Sequence, residues 1–218
     1  MTVPSNDGAP RSLSARVAGS TAGRSAVLIV VFVAALWLLE GIDTVLGNSL
    51  DQWGIHPRSG EGVIRGVVMA PLLHGGWEHL AANSVPALIL GFVGLAAGAG
   101  RFLIATVIIW LVAGAGVWLT GGTGTVVIGL SGVLFGWMTY LALRGLFTRR
   151  ALDIVVGVVL MVLYGGMLWG VLPGQPGVSW QGHLWGAIGG VIAAVLVGRR
   201  GRTRPGAGNS RQVGAIAT

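Results

Sequence analysis

Residues 181–198 read QGHLWGAIGGVIAAVLVG, a run in which no residue is charged and most side chains are apolar. A helix needs roughly 20 such residues to cross a hydrocarbon core about 30 Å thick. Gly182, Gly186 and Gly190 are spaced by four and therefore lie along one face of that helix. The run predicts a membrane-spanning helix that packs closely against a neighbour.

Five similar runs precede this one, and the whole composition agrees with them. Of the 218 residues, 53% are hydrophobic and 10% charged, and the mean hydropathy is +0.79. We therefore expect an all-α polytopic membrane protein with six spans in one bundle, residues 26–198. The polar ends, residues 1–25 and 199–218, are expected to be disordered cytoplasmic tails. The earlier spans are placed at about 26–46, 77–99, 102–119, 126–146 and 152–172.

The basic residues indicate the orientation of the bundle. The net charge is +7 and the basic residues are all arginine, but they lie in the tails and at the ends of the spans rather than along one helical stripe. This placement argues against a nucleic-acid partner and follows the positive-inside rule. Arg101, Arg149 and Arg150 put the loops after spans two and four on the inner side. We therefore expect an integral protein of the bacterial plasma membrane with both termini in the cytoplasm.

Few polar side chains fall inside the spans, and such groups mark function when they occur together. His79 and Asn83 in span two, Ser131 in span four and His183 in span six all lie near the outer ends of their helices. Alone, each has an ordinary structural explanation, because an intramembrane serine usually bonds a carbonyl of its own helix. Together they supply a nucleophile, a base and oxyanion donors, which predicts a hydrolase.

Glycines indicate which of these helices touch. Gly132 and Gly136 in span four repeat the spacing of four seen in span six, so the two faces can pack backbone to backbone. Close packing matters because a serine oxygen must come within about 3 Å of an imidazole nitrogen to transfer its proton. No cysteine is present, and neither a metal site nor a cofactor is expected.

The polar residues and glycines stand in three motifs. The run His74-Gly-Gly-Trp-Glu-His79-Leu-Ala-Ala-Asn83 has the pattern His, four residues, His, three residues, Asn. Gly129-Leu-Ser131-Gly132 has the form Gly-x-Ser-Gly, and the run from His183 through Gly186 to Gly190 has the form His-x-x-Gly-x-x-x-Gly. All three resemble motifs of the rhomboid intramembrane serine proteases. With Gly54 to Arg58 in the first loop, the resemblance covers about residues 50–198.

The resemblance implies a Ser131–His183 dyad without a carboxylate, with His79, Asn83 and the Ser131 backbone N–H as oxyanion donors. It also implies supporting roles for His74, Gly129, Gly132, Gly186 and Gly190. Phe135 stands where many relatives have tyrosine, and it keeps an aromatic face for the imidazole while losing the hydroxyl.

The expected partners are single-span membrane proteins as substrates, together with the lipid bilayer. The sequence does not indicate the oligomeric state. Two alternatives to the protease stay open: a catalytically inactive rhomboid-like protein that binds transmembrane clients, and a channel or transporter whose polar residues line a path.

Overall fold

The computed structural model describes residues 19–60 and 63–199, and within these ranges the chain is helical apart from loops and one isolated antiparallel β-bridge between Ile55 and Val127. Short 3-10 helices occupy Leu50–Trp53, Ala70–Leu72 and Gly165–Val171. The predicted all-α fold is therefore confirmed for this part of the chain. The α-helices are α1 (Thr21–Val45), α2 (Val63–Met69), α3 (Trp77–Ala96), α4 (Ala99–Thr120), α5 (Ser131–Thr148), α6 (Ala151–Tyr164) and α7 (Trp180–Arg199).

Five helices of the described residues are long and apolar enough to cross a membrane: α1, α3, α4, α6 with its 3-10 extension to Val171, and α7. The sequence predicted six such spans, and the difference is α5. This helix contacts α3, α4, α6 and α7 and buries ten of its residues. Because protein rather than lipid surrounds α5, it needs less hydrophobicity than the outer helices.

The connections divide the bundle into two ends. Residues 46–76 connect α1 to α3 and lie at what we call the first-loop end, where α3, α5 and α7 begin. The opposite end holds the α3–α4 turn with Arg101 nearby and the α5–α6 turn with Arg149 and Arg150. The N termini of the three helices that carry the polar residues therefore share one end, as the span order predicted.

The first loop is fastened to the rest of the bundle by backbone hydrogen bonds. Ile55 and Val127 exchange two of 3.0 Å, and the Arg58 N–H donates to the Trp118 carbonyl at the end of α4. The Trp118 indole donates to the Ser59 carbonyl. The short α2 follows, and the 3-10 turn containing Pro71 ends its apolar stretch, so this part of the loop does not span the membrane.

Some predicted boundaries were wrong. Span four was placed from residue 126, but α5 begins at Ser131 because the preceding residues are extended and pair with the first loop. Arg101 was assigned to a loop and lies in the first turn of α4. The first helix starts at Thr21, inside the predicted tail, where the Ser20 hydroxyl accepts from the Gly23 N–H and caps it. The predicted disorder of residues 1–18 and 200–218 lies outside the described residues.

Candidate active site

The α5–α7 contact is built on glycine. A Cβ added to Gly186 would collide with the Gly132 carbonyl, and one added to Gly190 would collide with the Gly136 carbonyl and the Thr139 hydroxyl. The two backbones are therefore in direct contact, a separation that no other residue type permits. The Thr139 hydroxyl lies 3.0 Å from the Ala187 carbonyl, which adds a polar contact across the seam.

This seam brings Ser131 and His183 together. Ser131 is the first residue of α5, and its Oγ lies 2.9 Å from Nε2 of His183, in the first turn of α7. The other ring nitrogen, Nδ1, lies 2.9 Å from the carbonyl oxygen of Gly170 in the 3-10 extension of α6. The imidazole is 9% exposed, so these two contacts hold a largely buried ring.

Phe135 fixes the plane of the imidazole. It lies one turn after Ser131, and its ring stacks on His183 with centroids 4.0 Å apart and planes 7° apart. Such stacking needs only an aromatic face, so the phenylalanine supports the ring without a hydroxyl. The stack restricts rotation of the imidazole about its Cβ–Cγ bond and keeps Nε2 directed at Ser131.

The N terminus of α5 contributes its backbone to the site. The first N–H groups of a helix have no intrahelical acceptor, and they carry the positive end of the helix dipole. Ser131 occupies that position. Gly129, just before it, has φ +118°, and a Cβ there would lie 2.6 Å from Cε1 of His79. Both the backbone conformation and the proximity of His79 require glycine.

His79 and Asn83 approach from α3, one turn apart on one face. The Gly75 N–H donates to Nδ1 of His79 at 3.4 Å, which leaves the proton of the neutral ring on Nε2 as a donor. The Asn83 amide donates one N–H to the His79 carbonyl at 3.0 Å and has a second one to give. Asn83 is 5% exposed, so its second N–H is a buried donor, and an acceptor that entered the cavity would form a strong hydrogen bond with it.

His74 lies behind the site. It is 1% exposed, and its Nε2 accepts from the Leu130 N–H at 3.5 Å, next to Ser131 in the chain. Burial, with the neighbouring His79 as a smaller contribution, lowers the pKa of His74 to about 4, so the ring is neutral at physiological pH. His74 therefore connects the end of the first loop to the turn before α5, away from the Ser131–His183 pair.

A cavity of about 830 Å³ surrounds the pair. The predicted residues His79, Asn83, Ser131, Gly132, Phe135 and His183 line it, together with the uncharged turns before α5 and α7. Gly186 and Gly190 lie deeper, in the seam. Every site residue predicted from the sequence thus lies in this region, either on the cavity wall or in the packing behind it.

The sequence did not reveal Gly170. A backbone carbonyl leaves no mark in residue type, and the glycine stands in a stretch, Gly165-Gly-Met-Leu-Trp-Gly-Val171, that reads as lipid-facing. In the same segment Met167 lines the cavity, whereas Trp169 is 70% exposed on the outside of the bundle.

Comparison with known proteins agrees with this architecture. Residues 61–200, well over half of the chain, match the sequence model of the rhomboid domain. An uncharacterized protein of Mycobacterium tuberculosis is 49% identical over 177 residues, covering 78% of this chain and 73% of that protein. A Mycobacterium leprae protein, also uncharacterized, is 45% identical over 179 residues, covering 78% of this chain and 70% of its own length.

A more distant relative is a protein of Acanthamoeba polyphaga mimivirus whose name describes it as a rhomboid, 29% identical over 127 residues, covering 56% of this chain and 69% of that protein. The match to the rhomboid-domain model and the coverage of the mycobacterial relatives show the family of this protein, and its long apolar helices indicate an integral membrane protein. The chain belongs to the rhomboid family.

Proposed function

We propose that this protein is an intramembrane serine endopeptidase that cuts transmembrane segments of single-span membrane proteins with a Ser131–His183 dyad. The observation that carries the proposal is the 2.9 Å contact between Ser131 Oγ and His183 Nε2 at the wall of an open cavity. Membrane serines usually bond a carbonyl of their own helix, as Ser25 and Ser84 do here. Ser131 instead lies against a base.

The contact supports acyl transfer in two steps. His183 Nε2 takes the hydroxyl proton while Ser131 Oγ attacks the scissile carbonyl, and the imidazolium then gives the proton to the leaving amine. Water, activated by the same nitrogen, hydrolyses the acyl-enzyme and regenerates the serine. His79, Asn83 and Ser131 line the same cavity, and we assign the His79 Nε2–H, the second Asn83 N–H and the Ser131 N–H as the donors to the negative oxygen of the tetrahedral intermediate.

The charges of the two ends support a single orientation. Arg101, Arg149 and Arg150 are exposed at the opposite end, which we assign to the cytoplasm by the positive-inside rule. The first-loop end and the cavity then face outward, and both termini are cytoplasmic. Water can reach Ser131 from that side through the uncharged turns that line the cavity.

Substrate access requires a lateral path, which we place between α3 and α6. Among the long helices α6 is the least enclosed: only Gly157 and Leu160 of its 14 residues are buried. A transmembrane helix hides its carbonyls in i to i−4 bonds, so the substrate must present an unwound segment. We therefore expect small or helix-breaking residues near the outer end of the substrate's span.

The test is reconstitution of the purified protein in liposomes with fluorescently labelled single-span substrates. We expect cleavage within or beside the transmembrane segment, and mass spectrometry of the products should place the cut near the end that carries small or helix-breaking residues. Binding of such proteins without cleavage across a panel of substrates would instead identify an inactive client-binding protein.

The oxyanion proposal predicts a kinetic effect of Asn83→Ala. Removal of one such donor should lower kcat about 10²-fold with little change in KM, because the donor acts on the transition state. Initial rates measured over a range of substrate mole fractions in liposomes separate the two parameters. Ser84→Ala is a matched control, since the Ser84 hydroxyl donates to the Leu80 carbonyl of its own helix, accepts from the Trp37 indole of α1, and lies off the cavity wall. An unchanged kcat for Asn83→Ala would remove Asn83 from the oxyanion site.

A further inference from the structure

The partner of His183 Nδ1 is a backbone carbonyl. In serine hydrolases with a triad, a carboxylate accepts from this nitrogen and fixes the tautomer of the base. Here the acceptor is the Gly170 carbonyl oxygen at 2.9 Å. A carbonyl can only accept a hydrogen bond, so Nδ1 must carry the proton and Nε2 must present its lone pair to Ser131.

The sequence explains why this carbonyl is free. In a 3-10 helix the carbonyl of residue i bonds to the N–H of residue i+3, and for Gly170 that residue is Pro173, which has no N–H. The segment also ends at Val171, so its last carbonyls need partners from outside. Pro173 thus leaves the Gly170 oxygen available to the imidazole.

Glycine at position 170 is required by the same contact. A Cβ there would lie 2.8 Å from Cζ of Phe135 and 3.0 Å from Nδ1 of His183. Any side chain would push the segment away from the stacked rings and lengthen the hydrogen bond. Gly166, in the same 3-10 helix, has no atom within 4 Å of such a Cβ.

The segment that supplies the carbonyl is weakly held, whereas the other end of α6 is fixed. None of residues 165–171 is buried, and only Met167 and Leu168 pack against the core, as partly buried side chains. At the opposite end, Asp153 accepts from Arg144 at 3.2 Å and from the Thr148 hydroxyl at 2.7 Å, and Gly145 and Gly157 let α5 and α6 approach closely. Few buried contacts mean a low free energy for local displacement, so the first-loop end of α6 is the part that moves most easily.

We propose that Gly170 is a positioning residue whose carbonyl takes the place of the missing carboxylate and keeps the proton of His183 on Nδ1. Displacement of the Gly165–Val171 segment would let that proton move to Nε2 and would disable the dyad. The inference rests on the proposed function for its catalytic meaning. Outward movement of the end of α6, which would admit a substrate, would break the Gly170–His183 bond. Hydrolysis would then follow only after the segment returns against the rings, so the dyad is active when the substrate is enclosed.

The direct test is ¹⁵N NMR of the His183 imidazole in detergent, which distinguishes a protonated Nδ1 from a protonated Nε2 without any substrate. The wild-type protein and Gly166→Ala should show the proton on Nδ1, and Gly170→Ala should show a mixture of tautomers. A wild-type ring protonated on Nε2, or a Gly170→Ala ring identical to wild type, would overturn the inference. Because no substrate is present, the result does not depend on proteolysis.

Kinetics provide the second readout. Gly170→Ala should lower kcat roughly 10- to 100-fold with KM nearly unchanged, a pattern expected when the orientation of a base is lost. Gly166→Ala should match wild type in both parameters. Equal kcat values for the two variants would contradict the positioning role, whereas absence of cleavage by wild type with the Nδ1 proton in place would count against the protease proposal alone.

A second variant avoids the added methyl group. Replacing Val171 by its α-hydroxy acid turns the Gly170 carbonyl into an ester carbonyl, a weaker acceptor, without any new side chain. The same tautomer shift and loss of kcat are expected, and an ester introduced at Gly166, which weakens the Gly165 carbonyl and lies off the cavity wall, serves as its control. A tautomer unaffected by the ester at 171 would exclude the carbonyl as the group that fixes the imidazole.

Discussion

Replacement of Ser131 by alanine is expected to reduce cleavage of a single-span substrate by roughly 10⁴-fold or more, to the background of the assay. The hydroxyl is the nucleophile of the proposed reaction, and the described structure puts no second hydroxyl within reach of His183 Nε2. Substrate binding should persist, because the methyl group of alanine leaves the cavity its shape. Cleavage rates and substrate crosslinking, measured on the same liposomes, separate these two effects.

Ser25→Ala is the matched control for this change. Ser25 is likewise a helical serine, but it is buried, its hydroxyl bonds to the Thr21 carbonyl of its own helix at 2.9 Å, and it does not line the cavity. The Ser25→Ala protein should cleave the substrate at the wild-type rate. A Ser131→Ala protein that cuts as fast as Ser25→Ala would refute the dyad.

His183→Ala should lose a similar amount of activity, and the double variant with Ser131→Ala should be no slower than either single variant. Groups that act as one unit give non-additive losses, since removing the base already disables the nucleophile. Additive losses would mean that the two residues act in separate steps. Unfolding of each variant should be compared in the same detergent, because His183 also stacks on Phe135.

The placement of the proposed catalytic residues could be predicted because it depends on span order alone. Three helices that begin at the same end bring their first turns together, and Ser131, His183 and His79 all lie within the first turn of α5, α7 and α3. The start of α5 was not predictable in this way. Residues 126–130 are apolar enough for a helix, but Val127 pairs with Ile55 and the Gly129 N–H donates to Ala70, long-range bonds that local sequence does not encode.

Gly170 shows a second limit of the sequence. Its role depends on a backbone carbonyl and on the absence of a side chain, and residue type alone does not distinguish it from the other glycines of a chain that has 39. The sequence does show Pro173 three residues later, which leaves that carbonyl without its usual N–H donor. Only the structure shows that the carbonyl contacts His183. α5, which the sequence did predict as a span, is less hydrophobic than the other long helices, and its burial among them accounts for the difference.

Gly186→Ala is expected to have the largest effect on stability, at least about 3 kcal/mol lost from the free energy of unfolding. The new methyl group would collide with the Gly132 carbonyl, and a backbone atom in the middle of the bundle cannot move aside as a flexible side chain would. Relief requires α5 and α7 to separate, which would also pull Ser131 away from His183. Denaturant unfolding in mixed micelles measures the first effect, and cleavage measures the second.

Gly100→Ala provides the opposite expectation with the same chemical change. Gly100 lies in the first turn of α4, and no atom is within 4 Å of a Cβ placed there. Alanine removes conformational freedom from the unfolded chain and favours the helix, so this variant should be as stable as wild type or up to about 1 kcal/mol more stable. If Gly186→Ala unfolded at the same denaturant concentration as Gly100→Ala, the α5 and α7 backbones could not be in contact, and the geometry that joins Ser131 to His183 would be wrong.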